Sequence, residues 1–259
     1  MNNFREKYVD LFYFNEELRS IIESVLDKHP EPKNLKQSFL LYALAKSHKT
    51  QAAILFLSEK GFGQDAGILA RSMFELAITA LYIAKDDTGK VVERFFDYDW
   101  IMRANMYDFV SEEMRYEEEF EKKDPVGTII KDVLEEAEKI KKKYRNINNV
   151  RWSEESFKEM ARKVGRLDLY QKAYTLQCNL AHPNPRNMND YFSESEGRLE
   201  VRAGPDDKWI SESLVMAFDS FVNIISVWNK EFEFGLETKL DDLVKRYSKK
   251  IGEINEERR

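Results

Sequence analysis

Residues 64–85 read QDAGILARSMFELAITALYIAK, a stretch with the length of a helix and with apolar residues on nearly every side. A helix that is apolar all round belongs inside a protein core. Arg71 and Glu75 nevertheless lie in its middle, and a charged side chain in a core is destabilising unless it is paired and hydrogen-bonded. At about 100° per residue, the polar side chains share an arc of roughly 100°; they are Arg71, Ser72, Glu75, Thr79 and Tyr82. The stretch predicts a buried helix with one polar stripe, which is either an internal ion pair or the wall of a pocket.

The segment from Ala66 to Ala84 is also about long enough to span a bilayer. Arg71 alone would cost about 2.5 to 3.5 kcal/mol near the centre of such a span, and Glu75 would add a further penalty. We expect no second span, because the segments on either side are amphipathic and charged. The sequence therefore favours a buried helix of a globular protein, with no membrane partner.

The composition favours helices throughout the chain. Of 259 residues, 42% are hydrophobic, which is enough for a substantial core, and only 10 are Gly and 6 Pro. We predict an all-α fold, a single bundle of about eight helices around a central buried hairpin that runs from Gln37 to Lys85 and reverses at Gly61-Phe62-Gly63. Residues 1–35 are expected to form an N-terminal helix packed on the bundle, 36–235 the core domain, and 236–259 a charged C-terminal helix.

The other elements follow from apolar spacing and from residues that break or cap helices. The predicted helices are Phe4–Lys28, Val91–Lys123, Asp124–Tyr144, one capped by Ser153 and running to Val164, Asp168–Ala181, Trp209–Glu233 and Leu236–Arg258. The acidic half of the predicted helix Val91–Lys123, residues Ser111–Glu121, is expected to project into solvent. The stretch 183–207 is predicted to be irregular, with at most a small hairpin at Gly197. A single cysteine, Cys178, excludes an internal disulfide, and the charged N-terminus is unlike a signal peptide, which predicts a cytoplasmic protein.

A second group of polar residues ends the predicted helix before Pro183. Tyr174, Cys178 and His182 fall at i, i+4 and i+8, with Asn179 beside them, so they share one helical face. His182 lies where the negative end of the helix dipole favours a protonated ring. Two simpler interpretations stay open: His182 only caps that helix, and Arg71 with Glu75 is only an intrahelical pair at i, i+4.

The chain resembles the bacterial domain-of-unknown-function family 5677 over about Leu40 to Pro183. The resemblance is carried by Gln51-Ala52-Ala53-Ile54-Leu55, Asp65-Ala66, Ala70 to Glu75, Tyr174 and His182-Pro183. In that family an Arg-Ser-x-x-Glu recurs on one helix, a Tyr follows, and a later helix carries a Tyr and ends in His-Pro. The resemblance implies that the corresponding positions form a site; they are Arg71, Ser72, Glu75, Tyr82, Tyr174, His182 and Pro183. Cys178-Asn179 stands where the family has a Ser before the His.

The placing of Arg, Glu and His is also loosely similar to that in HEPN-type helical proteins, several of which are metal-independent ribonucleases of defence systems. That similarity would make His182 the general base or acid and Arg71 the group that stabilises the developing phosphorane charge, with Glu75 beside them. Those nucleases carry a His shortly after an Arg on one helix. None of His29, His48 and His182 has an Arg at that spacing before it.

The distribution of charge and the spacing of possible metal ligands limit which molecules the protein can bind, whether nucleic acid, metal ion or cofactor. The net charge of −6 argues against a protein dominated by phosphate binding. Residues 139–166 hold ten Lys and Arg, with Tyr144 and Trp152, and could track a single-stranded nucleic acid, although a solvated face or a partner of the acidic segment is the simpler interpretation. Glu93 and Asp97 are four apart, but no Glu-x-x-His accompanies them, so we predict no metal and no cofactor.

The sequence favours a binding or interaction module over an enzyme and leaves catalysis uncertain. Its internal polar pocket is expected to receive a small polar or anionic ligand, or a partner group, through Arg71, Ser72, Glu75, Tyr82, Tyr174, Asn179 and His182. We expect Arg71 and Glu75 to meet His182 in the fold. The alternative is a HEPN-like metal-independent ribonuclease or toxin of a bacterial defence or stress system, and a homodimer is left open.

Overall fold

The computed structural model describes residues 3–28, 30–114, 125–144, 147, 151–175, 180–181, 185–195 and 197–257. Its helices are α1 (Phe4–Lys7), α2 (Val9–Leu26), α3 (Leu35–Glu59), α4 (Gly63–Ala84), α5 (Lys90–Met114), α6 (Pro125–Lys143), α7 (Phe157–Lys163), α8 (Leu167–Leu169), α9 (Pro185–Tyr191), α10 (Ile210–Phe232) and α11 (Glu237–Glu257). A π-helical segment, Tyr170–Tyr174, follows α8, and the strands β1 (Phe192–Ser195) and β2 (Arg198–Val201) pair antiparallel. The all-α fold class is confirmed.

The chain divides into two compact units. Unit 1 comprises residues 1–85 and 160–259, and unit 2 comprises residues 86–159. The predicted division at residues 35 and 235 follows the sequence pattern of the terminal helices and stays a prediction.

The core of unit 1 is built by three long helices. α3 and α4 form a hairpin whose turn contains Gly61 at φ +81°, a left-handed conformation that glycine adopts without steric penalty. α10 packs against both helices, and α2 packs against α10. The largest fully buried side chains lie on these four helices and include Phe12, Phe39, Phe74, Phe221 and Trp228. Residues 64–85 therefore supply one wall of the core.

The N-terminal helix predicted from Phe4 to Lys28 is two helices, which corrects that expectation. The break lies at Tyr8, whose φ of −117° and ψ of 29° are not helical. In α1, before the break, Phe4 is buried and Lys7 pairs with Asp207. The Tyr8 hydroxyl lies 3.4 Å from the Asp207 carbonyl oxygen. These tertiary contacts hold the first turn in a direction that a straight helix would not give it.

Two further expectations about helices are corrected. The helix predicted to start at Ser153 starts at Phe157, because Ser156 Oγ accepts the Glu159 amide at 3.2 Å and acts as its cap. Ser153 Oγ instead accepts the Glu155 amide in a preceding turn. In the stretch predicted to be irregular, Pro185–Tyr191 is helical, with proline at the first position, where its missing amide is tolerated. The small hairpin at Gly197 is confirmed.

Both α4 and α10 are long and apolar enough to cross a membrane by length and composition. The expectation that no second segment has this property is therefore wrong, since Ile210–Phe232 has it. Of the most apolar window, 56% is buried in α4 and 61% in α10. Core helices of globular proteins have the same character, so the two helices are weak evidence for a membrane location.

Unit 2 pairs α5 with α6 through Ile101, Ala104, Val133, Ala137 and Ile140. Lys143 Nζ lies 2.7 Å from Glu93 Oε1 and 2.8 Å from Asp97 Oδ2, and these carboxylates raise the pKa of the Lys143 ammonium. Two other lysines of the basic stretch also pair within α6, Lys139 with Glu136 and Lys141 with Glu138. Three of the described lysines of α6 in that stretch, Lys139, Lys141 and Lys143, therefore pair with carboxylates. The acidic segment Ser111–Glu121 lies largely outside the described residues.

Asp219 is a half-buried carboxyl on α10. Its Oδ2 accepts the Asn223 side-chain amide at 3.2 Å. Burial raises the pKa of the Asp219 carboxyl, and the Arg166 guanidinium opposes that shift. Tyr247 is the other titratable neighbour, since the Asp219 charge, after burial, raises the pKa of its phenol. The folded state therefore favours the neutral form of Asp219 more than the unfolded state does.

We expect Asp219→Asn to flatten the fall in stability at mildly acid pH. A carboxyl with a raised folded pKa stabilises most below its unfolded pKa of about 3.9, and this stability is lost as pH rises through the folded pKa. The asparagine stays neutral throughout and keeps an acceptor for Asn223. Urea unfolding across that pH range measures the difference, with the exposed Asp241→Asn as control. An unchanged pH profile in Asp219→Asn would show that the carboxyl is as well solvated folded as unfolded.

Candidate functional site

The polar stripe of α4 lies at the edge of the core of unit 1. The Arg71 side chain is 22% exposed, the Glu75 side chain 41% exposed, and Ser72 lies on the surface. The buried face of α4 is carried instead by apolar side chains such as Met73, Phe74 and Ile78. The expectation of charges deep in a core is corrected, because the stripe faces the chain segment around residues 170–174 rather than the three-helix core.

Arg71 and Glu75 form the intrahelical pair that their spacing predicts. Arg71 Nη2 lies 3.2 Å from Glu75 Oε1. Thr79, one turn further along the stripe, donates its hydroxyl to the Glu75 backbone carbonyl at 2.9 Å. The Thr79 hydroxyl is thus engaged with its own helix.

Tyr174 joins this pair from a distant part of the chain. Its hydroxyl donates to Glu75 Oε1 at 2.8 Å, so the carboxylate oxygen that pairs with the Arg71 guanidinium also accepts the Tyr174 hydroxyl. The Arg71 guanidinium carbon lies 5.4 Å from the Tyr174 ring centroid, within cation–π range. The ring also contacts Phe74, with centroids 5.6 Å apart. We call these three polar residues the Arg71–Glu75–Tyr174 cluster.

The cluster depends on a local departure from α-helical geometry. Tyr170–Tyr174 is π-helical, and the Thr175 amide donates to the Tyr170 carbonyl, five residues back. Within the segment Tyr170 stacks on Tyr174, with ring centroids 5.1 Å apart and an interplanar angle of 22°. Single π-helical turns are rare and occur frequently at functional sites. The sequence predicted an uninterrupted helix from residue 168, and its apolar spacing contains no signal for the extra residue in this turn.

The other predicted site residues are placed as follows. Tyr82 is on the same side of α4 as Arg71 but eleven residues later, about 16 Å along the helix axis, so it belongs to a different part of the surface. Cys178, Asn179, His182 and Pro183 lie outside the described residues, so their meeting with Arg71 and Glu75 stays a prediction. Leu180 is described, and a Cβ atom on Gly67, one turn before Arg71, would lie 2.8 Å from its Cδ1.

The cluster offers hydrogen-bonding groups on an aromatic base. Among the described residues, the hydrogen bond and the ion pair of the Glu75 side chain both use Oε1, which leaves Oε2 to accept a donor from a bound molecule. The Arg71 guanidinium is the side chain best suited to planar carboxylate or phosphate groups. No group of three or more His, Cys, Asp and Glu that could hold a metal ion occurs within the described part of the chain.

We expect Tyr174→Phe to destabilise the protein by about 0.5–1.5 kcal/mol, because it removes one hydrogen bond to a half-exposed carboxylate and keeps the ring contacts. Urea unfolding measures the change in the free energy of unfolding. Tyr42→Phe is the matched control, since Tyr42 is 50% exposed on α3, and it should change stability little. Equal effects of the two substitutions would contradict a contribution from the Tyr174 hydroxyl bond.

Comparison with known proteins bears on this cluster. A family of unknown function, DUF5677, matches residues 37–199, more than half of the 259 residues. The match includes the α3–α4 hairpin and Tyr174, and it confirms the first resemblance noted in the sequence. No curated protein and no solved structure matches the chain. The matched region contains all three residues of the cluster, and the chain belongs to the family of unknown function DUF5677.

Proposed function

We propose that this chain is a binding module whose Arg71–Glu75–Tyr174 cluster receives a small polar or anionic ligand, or a polar group of a partner. The observation that supports the proposal is the π-helical turn that brings the Tyr174 hydroxyl to Glu75 at 2.8 Å at a half-exposed edge of the core. Departures from regular backbone geometry persist where the surrounding structure holds them, and they are concentrated at binding and catalytic sites.

Stability alone is a weak explanation for the cluster. A partly exposed ion pair contributes only about 0.2–1 kcal/mol. The order Arg71 then Glu75 along the helix is also the less favourable one for an i, i+4 pair. A binding role accounts for polar residues that stability does not require.

The chemistry of the cluster defines the class of ligand. Arg71 favours a carboxylate or phosphate, Glu75 Oε2 favours a hydroxyl, amide or ammonium donor, and the stacked rings of Tyr170 and Tyr174 favour a planar group. A small planar molecule that carries both an acceptor and a donor would use all of them. We further propose that the protein is bacterial, as the family resemblance noted in the sequence implies, and cytoplasmic, as its single cysteine suggests.

A double substitution of the ion pair tests the proposal. We expect Arg71→Met with Glu75→Leu to lower the free energy of unfolding by no more than the about 0.5–1.5 kcal/mol of the lost Tyr174 hydrogen bond, because removing both partners leaves no unpaired charge. The same variant is expected to lose ligand binding. Wild-type and variant proteins are dialysed against a bacterial small-metabolite extract, and compounds enriched with the protein are identified by mass spectrometry.

The matched control is Arg103→Met with Asp99→Leu, which removes another exposed i, i+4 pair, 2.7 Å long, on α5. It should enrich the same compounds as the wild type. A compound profile that the cluster variant retains in full, or no enrichment by the wild type, would contradict the proposal. RNA cleavage in EDTA that is lost in His182→Ala would favour the HEPN-like nuclease instead.

A further inference from the structure

Unit 1 contains a polar cavity of about 190 Å³. It lies between the turn that precedes α4, the end of α9 and the loop at residues 202–206. None of the residues of the Arg71–Glu75–Tyr174 cluster lines it. An inference about this cavity is therefore independent of the function proposed for the cluster.

The walls of the cavity are fixed by backbone contacts. The Asp206 amide donates to the Gly61 carbonyl at 3.0 Å, and the Arg202 amide donates to the Tyr191 carbonyl at 2.7 Å. A Cβ atom on Gly61 would lie 2.8 Å from Pro205 Cβ, so the loop packs directly on the turn. The cavity is thus formed before anything binds, as small-molecule sites usually are.

Asp190 and Gln64 belong to the wall rather than to its binding groups. Asp190 Oδ2 accepts the Trp209 indole N–H at 2.9 Å and the Gln64 side-chain amide at 3.2 Å. Lys208 Nζ donates to the Asp190 carbonyl at 2.7 Å, and the Tyr191 hydroxyl donates to Gln64 Oε1 at 2.5 Å. This network satisfies those side chains with one another.

Arg202 and Asp65 differ from this wall because their charged groups are free to bind. Among the described residues, the Arg202 guanidinium makes one side-chain hydrogen bond, from Nε to Ser193 Oγ at 3.2 Å, which leaves both Nη groups open. Asp65, in the first turn of α4, is exposed, and among the described residues no side-chain hydrogen bond and no ion pair, with Arg202 or with any other residue, involves its carboxylate. The cavity therefore holds the Arg202 cation and the Asp65 anion with no ion pair between them, beside a further carboxylate, Asp206, whose Oδ1 accepts the Lys208 amide at 3.0 Å.

We propose that this cavity binds a small zwitterion, an α-amino acid whose carboxylate pairs with Arg202 and whose ammonium pairs with Asp65. A volume of about 190 Å³ corresponds to roughly six water molecules at about 30 Å³ each, which is room enough for an amino acid with a small side chain. Phe62, 42% exposed, supplies an apolar wall for that side chain.

Isothermal titration of the full-length protein with each proteinogenic L-amino acid in turn tests the proposal. At least one small amino acid is expected to bind, whereas its N-acetyl derivative and its amide, which each lack one charge, should bind at least about tenfold more weakly. Arg202→Gln and Asp65→Asn should each weaken binding by a similar factor. Arg198→Gln, on the same hairpin, and Asp241→Asn, on α11, are the matched controls and should leave the affinity unchanged.

Three results would overturn the proposal: no amino acid binds, the N-acetyl derivative and the amide bind as well as the parent compound, or Arg202→Gln binds like Arg198→Gln. Circular dichroism of each variant establishes that it is folded before titration. The Arg71→Met, Glu75→Leu variant should bind the amino acid normally, so failure of the cluster proposal leaves this one intact.

Discussion

Gly63→Ala is expected to destabilise the protein by roughly 3 kcal/mol or more, because this substitution overpacks a rigid backbone contact. A Cβ atom at residue 63 would lie 2.0 Å from the Lys208 carbonyl oxygen, 2.7 Å from the Ile210 amide nitrogen and 2.9 Å from the Trp209 carbonyl carbon. All three are backbone atoms, so no side-chain rotation relieves the overlap. The start of α4 and the start of α10 would have to move apart.

Chemical unfolding in urea measures this effect. Gly252→Ala is the matched control, because Gly252 lies inside α11 and a Cβ atom there meets nothing within 4 Å. The control is expected to stabilise the protein by about 0.5–1 kcal/mol through the lower conformational entropy of the unfolded chain and a better helix propensity. A Gly63→Ala protein as stable as the wild type would show that the α4–α10 approach is looser than the structure describes.

Phe221→Ala is expected to destabilise the protein by about 3–5 kcal/mol, the range for removing a large aromatic side chain from a core. Phe221 is 0% exposed on α10, the helix that packs against both α3 and α4. Its ring therefore contributes to the contact that joins the three central helices. The cavity left behind adds to the lost burial of apolar surface.

The control for Phe221 is the same substitution at Phe56, which is 63% exposed on α3. Phe56→Ala should change the free energy of unfolding by less than about 1 kcal/mol, since little burial is lost. Thermal unfolding followed by circular dichroism distinguishes the two. Similar losses in both variants would place Phe221 outside the cooperative core.

The central part of the fold follows from local sequence signals. Apolar spacing predicted α4 from residue 64 to 85, and the helix runs from Gly63 to Ala84. The glycines that flank Phe62 correctly marked the reversal. The prediction failed where tertiary contacts decide the local structure. The single helix predicted from Phe4 to Lys28 breaks at Tyr8, and the residues near Tyr8 carry no signal that Lys7 pairs with Asp207, 200 residues away.

Local sequence signals predict one part of the candidate site, and contacts between distant residues determine the other. The Arg71–Glu75 pair could be predicted from the i, i+4 spacing alone, because it lies within one helix. Tyr174 was singled out, but its contact with Glu75 spans 99 residues, and residue spacing carries no information about such a separation. The exposure of the stripe was also misjudged, because an apolar helix does not reveal which of its sides faces a partly open segment.

Because the turn at Tyr170–Tyr174 is π-helical, the number of residues in this segment decides whether the Tyr174 side chain reaches Glu75. Such a turn amounts to one extra residue in an α-helix, and one residue is about 100° of helical phase. Deleting a single residue here would restore a regular helix and turn the Tyr174 phenol away from Glu75, although no residue of the cluster would have changed. Two proteins of this family with identical cluster residues can therefore differ in whether the cluster forms, and a gap at this turn in an alignment of their sequences would distinguish them.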